Sequence, residues 1–274
     1  MTEKSLKSDL KTHFDFGENW SAYATTITEA DILEAEKGLL RLLSLDQIQN
    51  AKFLDIGCGS GLHSLAAIRL GAASVSAFDF DPLSVATTEQ TLNRYAPDGN
   101  FTCQVNSILA DHNASAGAYD IVYSWGVLHH TGSMWEAIEN ATKMVAPGGK
   151  LVIAIYLKTR FCWFWKREKR LFTTLPNWLR LPIVWSYAGL CILRILARKE
   201  NPYTHIAHYN KDRGMNWYRD RVDWLGGYPY ESASAEEIIA FLQARDGRLD
   251  KSLATTPGLG VFGSGCAEYV FTIG

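Results

Sequence analysis

Between positions 55 and 61 the chain reads Asp-Ile-Gly-Cys-Gly-Ser-Gly, just after the apolar Phe53-Leu54 and just before a helix-forming stretch at 62–71. Glycine tolerates backbone angles that side chains forbid, so such a turn lets the main chain approach a ligand closely. The start of the helix behind it aims free N–H groups at an anion. An acid directly before the first glycine would repel a phosphate, but it suits an ammonium. The two demands together fit a ligand with an ammonium beside a carboxylate, as in a nucleoside-linked amino acid. A second acid, Asp79, follows Asp55 by 24 residues, about one helix and one strand further on. In a strand–helix–strand unit that places it at the tip of the neighbouring strand, where ribose hydroxyls can bond to it. A dinucleotide-binding fold makes the same geometric claim. Its fingerprint is Gly-x-Gly-x-x-Gly, however, and here the third glycine comes one residue early. Nothing downstream resembles a hydride-transfer site.

Residues 55–61 resemble the first motif of the class I S-adenosylmethionine (SAM)-dependent methyltransferases. Four further pieces fall in the order that family shows: Val75-Ser-Ala-Phe-Asp79, Asn106-Ser107-Ile108, the run from Tyr119 to His130, and Ala146-Pro-Gly-Gly-Lys-Leu-Val-Ile-Ala-Ile155. Together they cover roughly residues 50–156. The resemblance implies a cradle of Asp55, Gly57, Cys58, Gly59 and Gly61. It also implies that Asp79 holds the ribose, with Phe80 or Asp81 beside it, and that Ser107 and Ile108 flank the adenine. Ser124 would close the fourth strand beside the cofactor, and the lead-in aromatics Trp20 and Tyr23 would fold over it. For Asp81, followed by Pro82, capping of the next helix is an equal alternative, as is core packing for Trp20 and Tyr23. SAM would be the cofactor and S-adenosylhomocysteine the product.

Methyl transfer from a sulfonium is an in-line displacement, to which proximity and alignment contribute most. A base is needed only when the nucleophile arrives protonated. The sequence should therefore specify the cradle firmly and the catalytic residue loosely. His129 and His130, in Ser124-Trp-Gly-Val-Leu-His-His130, leave the fourth strand near the methyl position and are the candidate bases. The alternative is packing against the sheet edge. A second polar and aromatic stretch, 205–231, reads as a lid over the pocket. Tyr209, Arg213, Trp217, Asp223 and Tyr228 are its candidate substrate residues, and Gly226-Gly227 before Tyr228-Pro229 predicts a tight turn. The alternative is a surface subdomain whose charges pair with one another. This stretch, with the ending Cys266-Ala-Glu-Tyr-Val-Phe271, resembles a bacterial subgroup similar to the ubiquinone-biosynthesis O-methyltransferases.

The elements that must position these residues are legible as alternation. Strands at 52–56, 74–79, 100–104, 120–124 and 150–156 alternate with helices at 62–70, 82–94 and 133–145. That pattern implies a parallel sheet with helices on both faces and ligands at the carboxyl ends of the strands. The expected architecture is a doubly wound, mostly parallel, seven-stranded α/β sheet, Rossmann-like, with a helical insertion before the last helix and strands. Residues 1–48 are lead-in helices, 49–156 the SAM-binding core, 157–230 the insertion, and 231–274 the closing helix and strands. Thr28 with Asp31, and Ser234 with Glu237, predict helix caps. The closing antiparallel pair is expected at 249–255 and 268–273. Residues 181–197 form a 17-residue apolar run, short for a spanning helix, and are expected to be a buried or interfacial helix.

At 274 residues and 47% hydrophobic content the chain can bury a core without staples. Five cysteines with no Cys-x-x-Cys spacing argue against a disulfide framework or a zinc site and suit a reducing cytosol. The first residues hold no apolar signal core, so a cytoplasmic setting and no metal are expected. Net charge is −2, yet residues 158–200 carry ten Lys/Arg against two acids, a local balance of +8. That asymmetry points to an anionic partner or surface. The rest of the chain lacks a broad basic footprint, so nucleic acid is not an expected partner. The favoured function is methylation of an oxygen or sulfur on a small acceptor, phenol- or quinol-like or a small thiol. The competing readings are a membrane-surface enzyme with a lipid-soluble acceptor, touching the bilayer through 158–200, and a macromolecular methyltransferase.

Overall fold

Seven strands form one sheet in the order β3-β2-β1-β4-β5-β7-β6. They are β1 (Lys52–Ile56), β2 (Ser74–Asp79), β3 (Phe101–Val105), β4 (Tyr119–Trp125), β5 (Val145–Tyr156), β6 (Gly247–Ser252) and β7 (Cys266–Ile273). The computed structural model describes residues 16–213, 217–254 and 258–274, and the side chains of Phe16, Asn177, residues 210–213 and Arg219 lie outside the described set. β1 to β5 run parallel, while β7 pairs antiparallel with both β5 and β6. This is the doubly wound, mostly parallel sheet that the alternation predicts. The chain order reverses between β1 and β4, and a crevice at such a switch point is where an open α/β sheet binds its ligand.

Helices α1 (Phe16–Ala24), α2 (Glu29–Leu42) and the single turn α3 (Leu45–Ile48) precede β1. α4 (Leu62–Arg69), α5 (Pro82–Tyr95) and α6 (Met134–Met144) connect the parallel strands. Thr28 caps α2 in a capping box with Asp31, as expected, and such a cap contributes about 1 kcal/mol. β1 and β4 are buried on both faces because helices cover the sheet from each side, which explains why consecutive residues such as Phe53-Leu54 and Ile121-Val122 are apolar. One face packs Leu54, Val122, Leu151 and Ile153 against Ile138, Ala141, Ile238 and Leu242, and the other packs Phe53, Ile121 and Val152 against Leu39, Leu43 and Ala66.

Besides shifts of a single residue, β5 and the closing pair differ from the sequence reading. β5 begins five residues earlier than expected, because Val145 already pairs with Tyr119 ahead of an irregularity spanning the Pro-Gly-Gly turn. The closing pair occupies 247–252 and 266–273, and Thr255 and Pro257 lie outside the described residues.

Among the described residues the insertion folds as four helices, α7 (Cys162–Thr174), α8 (Asn177–Ala197), α9 (Pro202–Arg213) and α10 (Trp217–Gly226). They enclose a small core of Trp165, Phe172, Val184, Tyr187, Leu225 and Tyr230 beyond the carboxyl ends of the strands. α8 is longer than the apolar run suggested, and it is not buried as a whole: Trp178, Trp185 and Leu193 lie on its surface. Helix α11 (Ala235–Gln243) then returns to the sheet behind the expected Ser234–Glu237 capping box.

Candidate functional site

The glycine turn between β1 and α4 needs its glycines. Gly57, Gly59 and Gly61 have φ of 77°, 54° and 78°, in the left-handed region. A Cβ on Gly61 would come within 2.9 Å of the Thr88 backbone, where α5 crosses close behind the turn. Gly57 N–H and Cys58 N–H both donate to the Phe78 carbonyl, at 2.8 and 3.2 Å, tying the turn to the end of β2. Asp79, the last residue of β2, accepts from Gly59 N–H at 3.1 Å and from Asp81 N–H at 3.0 Å. The two acids picked out by spacing thus converge on one turn.

Both carboxyls titrate abnormally. Burial pushes Asp55 up to about 7, with a further push from Asp79, although a 2.6 Å hydrogen bond from Ser64 opposes the rise. Burial likewise pushes Asp79 up to about 6, opposed by the two backbone donors and reinforced by Asp81. Cys58 is buried beside both acids, and burial drives its thiol far above its ordinary range. These are charges held out of water without full compensation, the condition that a cationic or hydroxyl-bearing ligand relieves. Trp20 of α1 lies over the turn, since a Cβ on Gly59 would meet its ring at 3.3 Å. Tyr23 packs edge-on to Trp20, with ring centroids 6.2 Å apart.

The other expected cofactor residues fall in three places. Asn106 N–H donates to the Asp79 carbonyl at 2.9 Å, which brings Ser107 and Ile108 beside the β2 tip. Ser107 Oγ accepts from Leu109 N–H, and Ile108 is buried with its carbonyl held by Asn140. Phe80 follows Asp79 at the same edge, half-buried. Ser124 is fully buried and donates to the Ile56 carbonyl at 3.1 Å, so its hydroxyl joins β4 to β1 inside the sheet. Asp81 takes the capping role, accepting from Leu83 N–H at 2.8 Å ahead of Pro82.

The residues after β4 form a second centre. A 3-10 turn, Leu128–His130, follows the strand. His129 is fully buried and stacks on Tyr156, the last residue of β5, with ring centroids 3.8 Å apart. Neither of its ring nitrogens makes a well-formed hydrogen bond among the described residues, although the Ala154 backbone lies near enough to favour the protonated ring slightly. Burial, then His130 and Lys169, hold its pKa well below the ordinary value, so His129 is a neutral ring. His130 is half-buried, and its Nδ1 lies 2.7 Å from the Pro229 carbonyl. A carbonyl only accepts, so the Nδ1 position carries the proton and Nε2 is the basic atom of the neutral ring. Glu231 fixes the same loop from the other side, donating its N–H to the His129 carbonyl at 3.0 Å and accepting from Met134 N–H.

The expected lid residues separate. Tyr209 and Trp217 belong to a network with Asp220 and Arg221 that ties α9 to α10. Tyr209 donates to Asp220, and the Arg221 guanidinium lies 5.0 Å from the Tyr209 ring and 4.8 Å from the Trp217 ring. Asp223 accepts from Asn19 of α1, joining the insertion to the helix over the glycine turn. Tyr228 N–H donates to the Gly226 carbonyl, forming the expected tight turn. The side chain of Arg213 lies outside the described residues.

The structure also gathers residues that the sequence reading did not name as candidates. Tyr156, Trp224 and Tyr230 form an aromatic wall beside His129, with Tyr156 5.4 Å from Trp224 and 5.5 Å from Tyr230. Lys169 points into that wall. It is fully buried, with Nζ 3.8 Å from the Trp224 ring and 5.4 Å from the Tyr230 ring. Burial lowers its pKa, partly offset by Glu168, whose own carboxyl is pushed up by burial. A signal did exist in the sequence. Trp165, Lys169 and Phe172 recur at helical spacing, which sets Lys169 on the apolar stripe of α7 while the neighbouring bases fall outside it.

Residues 54–151 match the family model described as a methyltransferase domain. A ribosomal protein L11 methyltransferase of Bacillus cereus is 31% identical over 33% of this chain and 33% of its own length. A ubiquinone biosynthesis O-methyltransferase of Parvibaculum lavamentivorans is 31% identical over 40% of this chain and 42% of its own. The chain spans less than half the length of these curated relatives. The crystal structure of a magnesium protoporphyrin IX methyltransferase from Synechocystis with bound S-adenosylhomocysteine superposes with a TM-score of 0.53, at 14% identity, over 89% of this chain and 84% of that one. An N-methyltransferase from Bradyrhizobium japonicum, also with S-adenosylhomocysteine, gives 0.50 at 17% identity over 87% and 85%. Residues 54–151 therefore match a methyltransferase domain, and the chain shares its fold with these methyltransferases of known structure.

Proposed function

We propose that this chain, built on a class I methyltransferase domain, binds SAM at the β1–β2 edge and methylates a small acceptor held between the β4–β5 edge and the helical insertion. The residues fit the cofactor. Asp55 is a buried and Asp79 a half-buried carboxylate, both with pKa values raised chiefly by removal from water, and Gly59 leaves a surface under Trp20 that any Cβ would fill. Asp79 would take the ribose hydroxyls, Ser107 and Ile108 would border the base, and Trp20 would close the site from above. When bound, SAM supplies a methyl group on a sulfonium, which an acceptor oxygen or sulfur displaces in line to leave S-adenosylhomocysteine.

The observation that carries the acceptor reading is the wall of Tyr156, Trp224 and Tyr230 with the Lys169 ammonium against it. Flat aromatic faces favour a flat acceptor. In its protonated form the buried Lys169 amine would favour the ionised form of a weak acid such as a phenol or quinol. A small thiol would gain from the same charge but not from the rings, so the phenol-like acceptor is favoured. His130 would take the acceptor's proton on Nε2 while the Pro229 carbonyl holds the ring through Nδ1. His129, neutral and stacked on Tyr156, would shape the wall and exclude water.

The test is binding and turnover with purified protein. S-Adenosylhomocysteine should bind in calorimetry, and methyl-labelled SAM should transfer label to an organic-extractable acceptor from a lysate of the native host. Label confined to the macromolecular pellet would point instead to a protein or RNA acceptor, and absence of S-adenosylhomocysteine binding would end the reading altogether.

A further inference from the structure

By length and composition one helix among the described residues could cross a membrane, the segment Trp178–Ala197 of α8, with mean hydropathy 1.5. A helix that is apolar on all sides is ordinarily enclosed by protein or by lipid, and α8 is enclosed on one side alone. Val184, Tyr187, Ala188 and Ile195 face inward and are buried, with Tyr187 5.9 Å from Trp165 of α7. On the opposite face Trp178, Leu181, Trp185, Leu193 and Leu196 recur every three, four or eight residues and form one outward stripe. Trp178 is 70% exposed, Trp185 65% and Leu193 61%. An outward apolar stripe two tryptophans strong, on a helix that also holds a core, is not ordinary surface.

Charge identifies what covers it. Exposed bases bracket the stripe in sequence: Lys166, Arg167 and Arg170 on the outer face of α7, and Arg194, Arg198 and Lys199 at the far end of α8. The acids of the same stretch are Glu168, which is half-buried beside Lys169, and Glu200. Tryptophan and basic residues flanking an apolar face are what a helix in the headgroup region of an anionic bilayer requires. A second copy of this chain fits less well, because a two-fold contact would set the same bases against one another. A spanning helix fits less well too, since it would abandon the packing of Val184, Tyr187 and Ile195.

We propose that α7 and α8 dock this protein on the surface of an anionic membrane, with the outer stripe of α8 lying in the headgroup region and the flanking bases on the lipid phosphates. Docking does not depend on the transfer reaction, and the two can fail separately. The experiment is co-sedimentation of the full chain with vesicles of phosphatidylcholine alone and of phosphatidylcholine mixed with phosphatidylglycerol, alongside S-adenosylhomocysteine binding. Two variants accompany it, Trp178→Gln/Leu181→Gln/Trp185→Gln and Lys166→Glu/Arg167→Glu/Arg170→Glu, all at exposed positions. The expected result is pelleting with the anionic vesicles, lost by about tenfold or more in each variant, with release by carbonate and unchanged S-adenosylhomocysteine binding. Absence of pelleting, equal pelleting of the variants, retention through carbonate, or a dimer in light scattering that the tryptophan variant dissolves would each overturn the docking. None of these would touch the cofactor site.

Discussion

The amide of Gly59 donates to the carboxylate of Asp79 at 3.1 Å, so the turn after β1 and the acid at the tip of β2 share one hydrogen bond across 20 residues of sequence. The acid that would hold the ribose also fixes the backbone that would cradle the rest of the cofactor. Asp79→Asn should therefore weaken both. Charge-assisted hydrogen bonds contribute about 1.5–3 kcal/mol, so S-adenosylhomocysteine binding should weaken by about ten- to a hundredfold in calorimetry. A variant that binds as tightly as the parent would remove Asp79 from the site.

The raised acids give a pH signature. Asp55 and Asp79 have folded pKa values of about 7 and about 6, above the ordinary carboxylate range. The folded protein thus holds protons that the unfolded chain has released. Stability from these groups is fully present below about pH 4 and is lost as pH rises through 6 and 7. Binding of a ligand through its ammonium and ribose hydroxyls runs the other way, because those groups pair with the ionised acids. S-Adenosylhomocysteine affinity should rise by about ten- to a hundredfold between pH 5.5 and 7.5, and Asp79→Asn should flatten the curve.

His130 is held through Nδ1 by Pro229, which makes its other nitrogen the proton acceptor. His130→Gln should lower kcat by about a hundredfold. The melting temperature and S-adenosylhomocysteine affinity should stay near the parent's. A kcat within a few-fold of the parent's would remove His130 from the proton transfer.

Lys169 sits in aromatic surroundings with its pKa lowered by burial. Its unfolded value is higher, so between the two the unfolded chain binds more protons, and stability should rise as pH is raised from neutral toward 10. Lys169→Met keeps the volume and discards the charge. It should hold or raise the melting temperature, abolish this alkaline rise, and raise KM for a phenolic acceptor. Lys169→Ala leaves a cavity instead and should cost about 2–5 kcal/mol by analogy with other long side chains removed from cores. A Met variant that melts well below the parent would show that the ammonium is compensated in the fold.

The glycine turn and the two acids beside it were legible because their information is local. A glycine triplet, an acid before it and another acid one strand–helix–strand unit later are set by chain geometry, and the alternation of strands and helices dictates that such tips share an edge. The cluster around Lys169 was less legible, because it forms only through tertiary packing. His129 stood out by residue type and by its place after β4, but Tyr156, Lys169, Trp224 and Tyr230 lie far apart in sequence, and no spacing rule relates a strand end to the inner face of an inserted helix. For the same reason Tyr209 and Trp217, plausible by composition, turned out to tie α9 to α10. α8 shows the limit most simply. A helix apolar on every side carries no periodicity to mark its inner face, so only the packed structure decided that Val184 and Tyr187 turn inward and Trp178 and Trp185 turn out.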